Sequence, residues 1–427
     1  MSAHKTLTHK GTSIDQEVRN NYLVNASSFN RALAYLFIIV VMPVMLFNSL
    51  WAMLKRAPVF SAIRKQDALG RLVVLHYFRY GILKHSGLLL DIAQGRLNFC
   101  GVHFSNTLTL AERHTICHHH LTKAGIFNHF SLHQSSGLIV ENEARLLIKQ
   151  LNTSSFACLL MVCKSLLCRV LYHQNNSTSH KYVKLFDLTI NNTSLAEVAA
   201  WATAADTMIW PRVGFFINVN SINLACQSAQ FKHHLKQPVA LFADGSGMRI
   251  AAKHAGYQLK SNINGTDLLP ILCQCCAHKK QSIFLFGAGQ GIAEKTAKTL
   301  KQQHPQLLIS GTHHGYVASQ YNAELIQKIN DSKCDVLLVA LGSPLQESWV
   351  LANRHALHCQ CILAVGGLFD FYAGKYSRAP LSLRQLGLEW IWRLWQDPKG
   401  KFYRYVIGNP LFLIRVYILG LATKGEK

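Results

Sequence analysis

The first stretch in which residue type and spacing suit chemistry is Asp244-Gly245-Ser246-Gly247. A carboxylate that ends an apolar run and precedes a glycine turn stands where the ligands of α/β sheets bind. The same position is also that of an ordinary helix N-cap, and spacing alone does not separate the two. Three other apolar runs end in turns of comparable interest. Phe216-Ile217-Asn218 ends in an amide. In Phe286-Gly287-Ala288-Gly289-Gln290-Gly291, Gly287 and Gly289 let the backbone approach a phosphate or pack the next helix closely. Their spacing is GxGxG rather than GxGxxG, with no acid at the distance a ribose contact needs, so nicotinamide dinucleotide binding is weakly supported. Leu341-Gly342-Ser343-Pro344-Leu345-Gln346-Glu347 opens a helix whose N-terminal N–H groups suit a nucleotide phosphate. Glu347 reads equally as the third-position partner of a capping box begun at Ser343. No GKS or GKT supports a Walker-type NTPase.

Cations gather in a fifth stretch, Gly366 to Leu413, with Arg378, Arg384, Arg393, Lys399, Lys401 and Arg404 against few acids. Aromatic residues run through it: Trp390, Trp392, Trp395, Phe402 and Tyr403. Such a segment suits an anionic ligand, a membrane face, or a solvated helix surface. For the aromatics, an interfacial seat and core packing are equal alternatives.

The elements that must position these residues follow from the alternation of short β-rich runs with helical patterns after residue 181. Runs at Val183–Ile190, Val213–Val219, Val239–Ala243, Ser282–Gly287, Leu307–Ser310, Val336–Leu341 and Ile362–Val365 are separated by helical stretches such as Ala293–Gln303. This predicts an α/β, Rossmann-like fold with a largely parallel sheet. Ligands of such sheets lie beyond the carboxyl ends of the strands, where all four turns fall.

Ahead of this half lies a different composition. Ala32 to Leu54 is an apolar run flanked by Arg31 and by Lys55-Arg56, long enough to span a bilayer, with Pro43 in its middle. A spanning helix, a bent re-entrant helix and a buried core helix are all open, and basic flanks on both sides lean towards the re-entrant form. The turn-rich Asn175–His180 marks a linker. The expected organisation is a polar tail (1–29), a mainly α, membrane-associated domain (30–174), an α/β domain (181–366) and a basic C-terminal appendage (367–427).

Across the whole chain, 44 Lys and Arg stand against 21 Asp and Glu, a net charge of +23, and 49% of residues are hydrophobic. That balance points to phosphate-rich partners. A nucleic-acid partner would rest on charge alone and is not expected. The 12 cysteines carry no paired CxxC frame, and no signal peptide opens the chain, so reduced thiols in the cytosol are expected. The clusters Cys117-His118-His119-His120, Cys273/Cys275/Cys276 and His358/Cys359/Cys361 lack the spacing of a zinc site.

Taken in order, FDLT, Asn218, DGSG, LFGAGQGIAEK, GTHHGY, ALGSPLQE, GGLFDFYAG, RAP, GLEWIWRL and GNP resemble the WecG/TagA/CpsF glycosyltransferase family from about Tyr182 to the C-terminus. That resemblance implies an inverting transferase moving a hexosamine-type sugar, such as N-acetylmannosamine or its uronic acid, from a UDP donor onto a polyprenyl diphosphate-linked sugar in cell-surface polysaccharide assembly. It implies no cofactor and no metal. Asp244 matches the family's proposed general base, and Gln346 a sugar or nucleotide contact. Arg393 and Arg404 become the groups that stabilise the departing diphosphate, with Lys401 beside them and Asp370 positioning a substrate hydroxyl or anchoring its loop. Asn218, Gly245, Gly247, Gly287, Gly289, Gly342 and Ser343 complete the expected substrate contacts. The chain departs from the family's Thr-x-Asn in having Phe216-Ile217-Asn218, which puts a substrate contact in doubt.

The earlier part, about Asn30 to Tyr172, resembles a worn bacterial sugar transferase of the kind that loads a sugar phosphate onto polyprenyl phosphate. The resemblance rests on Ala57-Pro58-Val59-Phe60, Arg64, Gly70-Arg71, HYFRYG, Gly95–Val102 and Leu121–Gly137. The family's acidic pair is absent from Gly81–Leu90, and Asp91 alone reads as a helix-surface or cap residue. A covalent intermediate needs a nucleophile, so this domain is expected to be inactive and to serve as a membrane platform. Together these readings expect membrane lipids as a partner and the cytoplasmic face of the bacterial plasma membrane as the location, and they leave self-association open. The alternative is an inert membrane scaffold of a polysaccharide assembly complex.

Overall fold

The structure, a computed structural model, describes residues 12–104, 123–138, 143–173, 180–205 and 210–422. The chain divides into two compact units, Met1–Gln134 with Val140–Leu167 and Ser135–Ile139 with Cys168–Lys427. The division thus falls inside the Ser155–Tyr172 helix, a few residues before the expected linker, whose residues 175–179 lie outside those described. The α/β domain and the basic appendage form one unit rather than two.

In the N-terminal unit a single helix runs from Thr12 to Leu54 and continues through Pro43. Its packed side is a narrow stripe of Ala34, Met45, Asn48 and Ala52, all buried. Asn48 is the polar member of this stripe, and its amide is satisfied both ways by the backbone of Ile82, at 2.6 and 3.0 Å. Much of the remaining surface is apolar and open to solvent, with Leu36, Val40, Leu46 and Met53 each about 60% exposed or more. Over Asn30–Leu54 the mean hydropathy is 2.3, enough by length and composition to cross a membrane.

The unit is mainly helical but also carries an antiparallel hairpin, β1 (Phe60–Gln66) and β2 (Leu72–Phe78). Asp67 closes its turn by accepting from the Leu69 and Arg71 N–H groups. A short parallel pair, β3 (Asn98–Cys100) and β4 (Gly125–Phe127), brings the two glycine-framed stretches side by side. Their approach requires glycine, since a Cβ on Gly125 would lie 2.0 Å from the Gly101 nitrogen. Asp91 corrects the sequence expectation: it is buried, not a surface or cap residue. Its carboxylate holds the His76 ring at 2.7 Å, the His76 N–H at 2.9 Å and Arg96 at 3.1 Å.

The C-terminal unit is built on an eight-stranded sheet: β5 (Tyr182–Leu185), β6 (Leu188–Asn191), β7 (Arg212–Ile217), β8 (Ala240–Ala243), β9 (Ser282–Gly287), β10 (Leu308–His313), β11 (Val336–Ala340) and β12 (Cys361–Ala364), in the spatial order β10-β9-β11-β12-β7-β8-β6-β5. All neighbours are parallel except β5 and β6. Every residue of β7, β11 and β12 is buried, as expected of parallel strands covered on both faces. Two apolar layers, one centred on Phe215, Ile217, Leu337 and Ile362 and the other on Phe216, Leu285, Leu338 and Leu363, fill the two sides.

The run 183–190 is not one strand but a tight hairpin. Phe186 and Asp187 both take positive φ, 55° and 63°, in a two-residue turn. Packing sustains this unusual choice of turn residues. Phe186 is buried against Phe412, with ring centroids 5.6 Å apart, and Asp187 pairs with Lys232 and Lys236.

Candidate active site

Six parallel strands deliver their carboxyl ends to one rim, and a cavity of about 1050 Å³ opens there. Its walls include Asn218 after β7, Asp244 after β8, Gly289 after β9, Tyr316 after β10, Gly342 after β11 and Gly366 after β12. The helical C-terminal segment closes the opposite side with Arg393, Lys401, Arg404 and Tyr405. A second chamber of about 240 Å³ adjoins it, lined by Gly245, Gly247, Arg249, Arg378 and Arg384 among others. Asn218, Asn220, Asp244, Arg393, Arg404 and Tyr405 face both. Asp244 is the one carboxylate they share among the described residues.

Asp244 sits where β8 ends, its N–H bonded to the Ile217 carbonyl at 2.8 Å. Asn218 caps the next helix, Val219–Gln227, its Oδ1 accepting from the Asn220 and Ser221 N–H groups. Its remaining amide N–H reaches the Asp244 carboxylate at 3.5 Å. One asparagine therefore starts a helix and aims the acid. Burial pushes the Asp244 carboxyl up to about 6, with Glu389 adding to the rise while Arg393, Asn218 and Arg404 oppose it. That value suits a base working near neutral pH. Gly245 bends the chain away at φ 92° and donates its N–H to the Asn262 side chain at 2.6 Å. A Cβ on Gly247 would lie 2.3 Å from the Val219 side chain, so that glycine lets two helices meet.

The cations are held differently. Arg393 bonds Glu389 one turn earlier at 2.8 Å and lies over the Phe371 ring at 4.8 Å. Burial works against its charge, but Glu389, Tyr405 and Asp244 more than offset that, so it stays a cation. Arg404 lies on a five-residue π-helical turn, Tyr403–Ile407, and makes no ion pair within the described residues. Such turns offset the regular helix ladder and often sit at functional sites. Lys401, 3.9 Å from Asp397, has its ammonium pushed down by burial and then by Arg404 and Arg393. Positive charge is thus concentrated where two lower-charge neighbours would cost less, which favours an anionic ligand between them.

Other expected contacts find different roles. Gly287 does not line the cavity. Its φ is 132°, and a Cβ there would lie 2.4 Å from the Ala340 carbonyl oxygen, so it serves close packing of β9 against β11. Gln346 lines the wall, but its amide is already engaged. Oε1 accepts from the Gly342 and Gly366 N–H groups at 3.2 and 2.9 Å, and Nε2 donates to Glu347 at 3.0 Å. Its amide thus braces the ends of β11 and β12. Ser343 donates to Glu347 at 2.6 Å, side chain to side chain, so the expected capping box does not form. Burial raises the Glu347 carboxyl above its ordinary range, against the pull of the Ser343 and Gln346 hydrogen bonds. Asp370 lines the large chamber and pairs with Lys375 at 3.4 Å.

The sequence reading missed Arg249, Glu389, Asn262 and Tyr405. Glu389 had a visible signal, standing four residues before Arg393. Arg249, buried with its guanidinium 4.3 Å above the Tyr172 ring, had none. Of the cysteine and histidine clusters, Cys117–His120 lies outside the described residues. Among those described, no three His, Cys, Asp or Glu side chains are arranged to hold a metal ion.

Residues 183–425 match the glycosyl transferase WecG/TagA/CpsF family. Among similar proteins, the N-acetylglucosaminyldiphosphoundecaprenol N-acetyl-β-D-mannosaminyltransferase of Bacillus spizizenii is 33% identical over 192 residues, 45% of this chain and 73% of the relative. The enzyme of the same name from Staphylococcus aureus strain MW2 is 28% identical over 182 residues, 43% of this chain and 71% of the relative. The family match begins after the N-terminal unit. A parallel sheet whose strand ends gather one shared carboxylate and a wall of arginines, in a chain with these relatives, is that of a glycosyltransferase, and the chain belongs to the WecG/TagA/CpsF family.

Proposed function

We propose that the enzyme transfers a hexosamine-type sugar, N-acetylmannosamine or its uronic acid, from UDP to a polyprenyl diphosphate-linked sugar, with inversion and without a metal. The observation that carries this reading is the position of Asp244 at the junction of the two chambers. A base in an inverting transfer must touch the acceptor hydroxyl while that oxygen faces the donor's anomeric carbon. Asp244 takes the hydroxyl proton, the oxygen bonds to the anomeric carbon from the face opposite UDP, and the carbon–phosphate-oxygen bond breaks with its electron pair leaving on UDP. Arg404, Arg393 and Lys401 meet the charge that develops there. The relatives' names support the lipid-linked acceptor and the mannosamine-type sugar.

The N-terminal unit enters this proposal as an inactive sugar-transferase-like platform on the cytoplasmic face of the plasma membrane. Its exposed apolar helix supports the membrane part of that reading. The experiment is UDP release by the full chain in detergent, across a panel of UDP-sugars, with and without a polyprenyl diphosphate-sugar and with EDTA present. Acceptor-dependent release that survives EDTA is expected. Release abolished by EDTA would remove the metal-free mechanism, and no release with any donor, alongside retained vesicle binding, would replace the enzyme with a scaffold.

A further inference from the structure

We infer that the two chambers divide the substrates. The small one, between the Ser246–His254 helix and the C-terminal helices, seats the acceptor's polyprenyl diphosphate, and the large one takes the nucleotide sugar. This rests on the transferase reading above. Size is the first argument. Ligands the size of a nucleotide sugar occupy clefts of roughly 300–1,000 Å³, which the large chamber matches at about 1050 Å³ and the small one, at about 240 Å³, does not.

Chemistry is the second argument. The cations found only in the small chamber are arginines: Arg249, Arg378 and Arg384. Those found only in the large one are lysines, Lys375 and Lys401. Guanidinium forks suit bidentate contact with a diphosphate. All three arginines are held beforehand. Arg249 donates to the Ser135 carbonyl at 2.6 Å while lying over Tyr172, and Arg378 pairs with buried Asp267. Arg384 donates its Nε–H to Ala379 at 3.1 Å.

The third argument is where the small chamber leads. Leu413 lines it and is 40% exposed, on a helix, Gly408–Tyr417, whose Ile414 and Tyr417 are also open, followed by exposed Ile418 and Leu419. A ligand that is charged at one end and a hydrocarbon at the other finds arginines and then an apolar surface along this path. A UDP-sugar has no apolar end to place there. The large chamber instead offers the glycine turns at Gly289, Gly342 and Gly366.

The test is calorimetric titration of the full chain in detergent with UDP and with farnesyl diphosphate, each alone and each with the other saturating, farnesol correcting for micelle uptake. Both ligands are expected to bind at once. Arg384→Gln should weaken farnesyl diphosphate about tenfold or more, the loss of one charge-assisted contact, and leave UDP affinity within about twofold. Lys375→Gln, on the exposed rim of the large chamber, should do the reverse. Arg384→Lys and a melting curve guard against a folding defect. One-for-one displacement of farnesyl diphosphate by UDP, no binding of farnesyl diphosphate, or loss of UDP affinity in Arg384→Gln would each overturn the assignment. If the binding divides as expected but no sugar is transferred, the chambers stand and the transferase reading falls.

Discussion

The two walls of the active site are built on opposite principles. On the sheet side, polar groups are fixed by hydrogen bonds inherited from strand ends and helix starts. Asn218 caps a helix and aims Asp244, while Gln346 ties Gly342 to Gly366. On the helical side, cations are fixed by packing and by two ion pairs four residues apart, Arg393 with Glu389 and Lys401 with Asp397, while Arg404 on its π turn makes no ion pair among the described residues. Hydrogen-bonded scaffolding sets geometry, and a loosely paired cation keeps its field for the ligand. Substitutions on the two walls should therefore fail in different ways.

The largest effect is expected at Asp244. Removing a general base costs roughly 10²–10⁴ in turnover, so Asp244→Asn should lose that much kcat with substrate binding retained. The fold should gain. Its folded carboxyl is raised to about 6, against an ordinary value near 4, so its destabilising effect is absent below about pH 4, grows as pH rises and is complete above about 6. Asp244→Asn should be more stable than wild type at pH 8, by up to about 3 kcal/mol, and no more stable at pH 4. Unchanged turnover would remove the base assignment, and an unchanged melt at pH 8 would remove the account of its environment.

Next come the arginines. Arg404→Ala should lower kcat by roughly 10²–10³, as removal of a charge-stabilising donor does, with little change in melting because no ion pair is broken. Arg393→Ala should lower kcat comparably and also destabilise, since Glu389 loses its partner and Phe371 its cover. Equal melting of the two variants would erase the distinction drawn between them. Gln346→Ala should lower stability by about 1–3 kcal/mol, since buried Glu347 loses a donor and the Gly342 and Gly366 N–H groups lose their acceptor. It should raise the donor's KM more than it lowers kcat, because Gln346 holds a wall and does not meet the reacting atoms.

The sheet side was the more legible in sequence, and the reason is physical. Strand ends followed by glycine or a capping residue leave local signals, so Ser282–Gly287 and the turns at Asn218, Asp244 and Gly342 are placed where expected. What did not show was the use to which a side chain was put. Nothing in LGSPLQE tells that Gln346 spends its amide on the backbone N–H groups of Gly342 and Gly366, one from each neighbouring strand end. Phe186-Asp187 hid a hairpin turn, because Phe186, of a type that ordinarily avoids positive φ, is held there by Phe412, more than two hundred residues later. Asp91 hid likewise, its burial depending on His76 across the hairpin and Arg96 beyond the helix.

The smallest expected effect lies on the seam between the walls. Glu389 belongs to the helical side, yet its charge raises the carboxyl of Asp244 on the sheet side, second only to burial among the groups that do so. In Glu389→Gln that contribution is gone, while Arg393, still over Phe371, no longer shares its charge with a carboxylate and acts more strongly on Asp244. Both changes favour the ionised base. The acid limb of kcat/KM, expected near pH 6 in the wild type from the Asp244 carboxyl, should therefore move to lower pH, with the rate above pH 8 little changed. The measurement is a pH profile of acceptor-dependent UDP release for both proteins. A limb that stays in place would mean that Asp244 is set by burial alone and that the two walls act independently. A limb that moves up would mean that Glu389 serves to hold Arg393 near the base, with its own charge of no account.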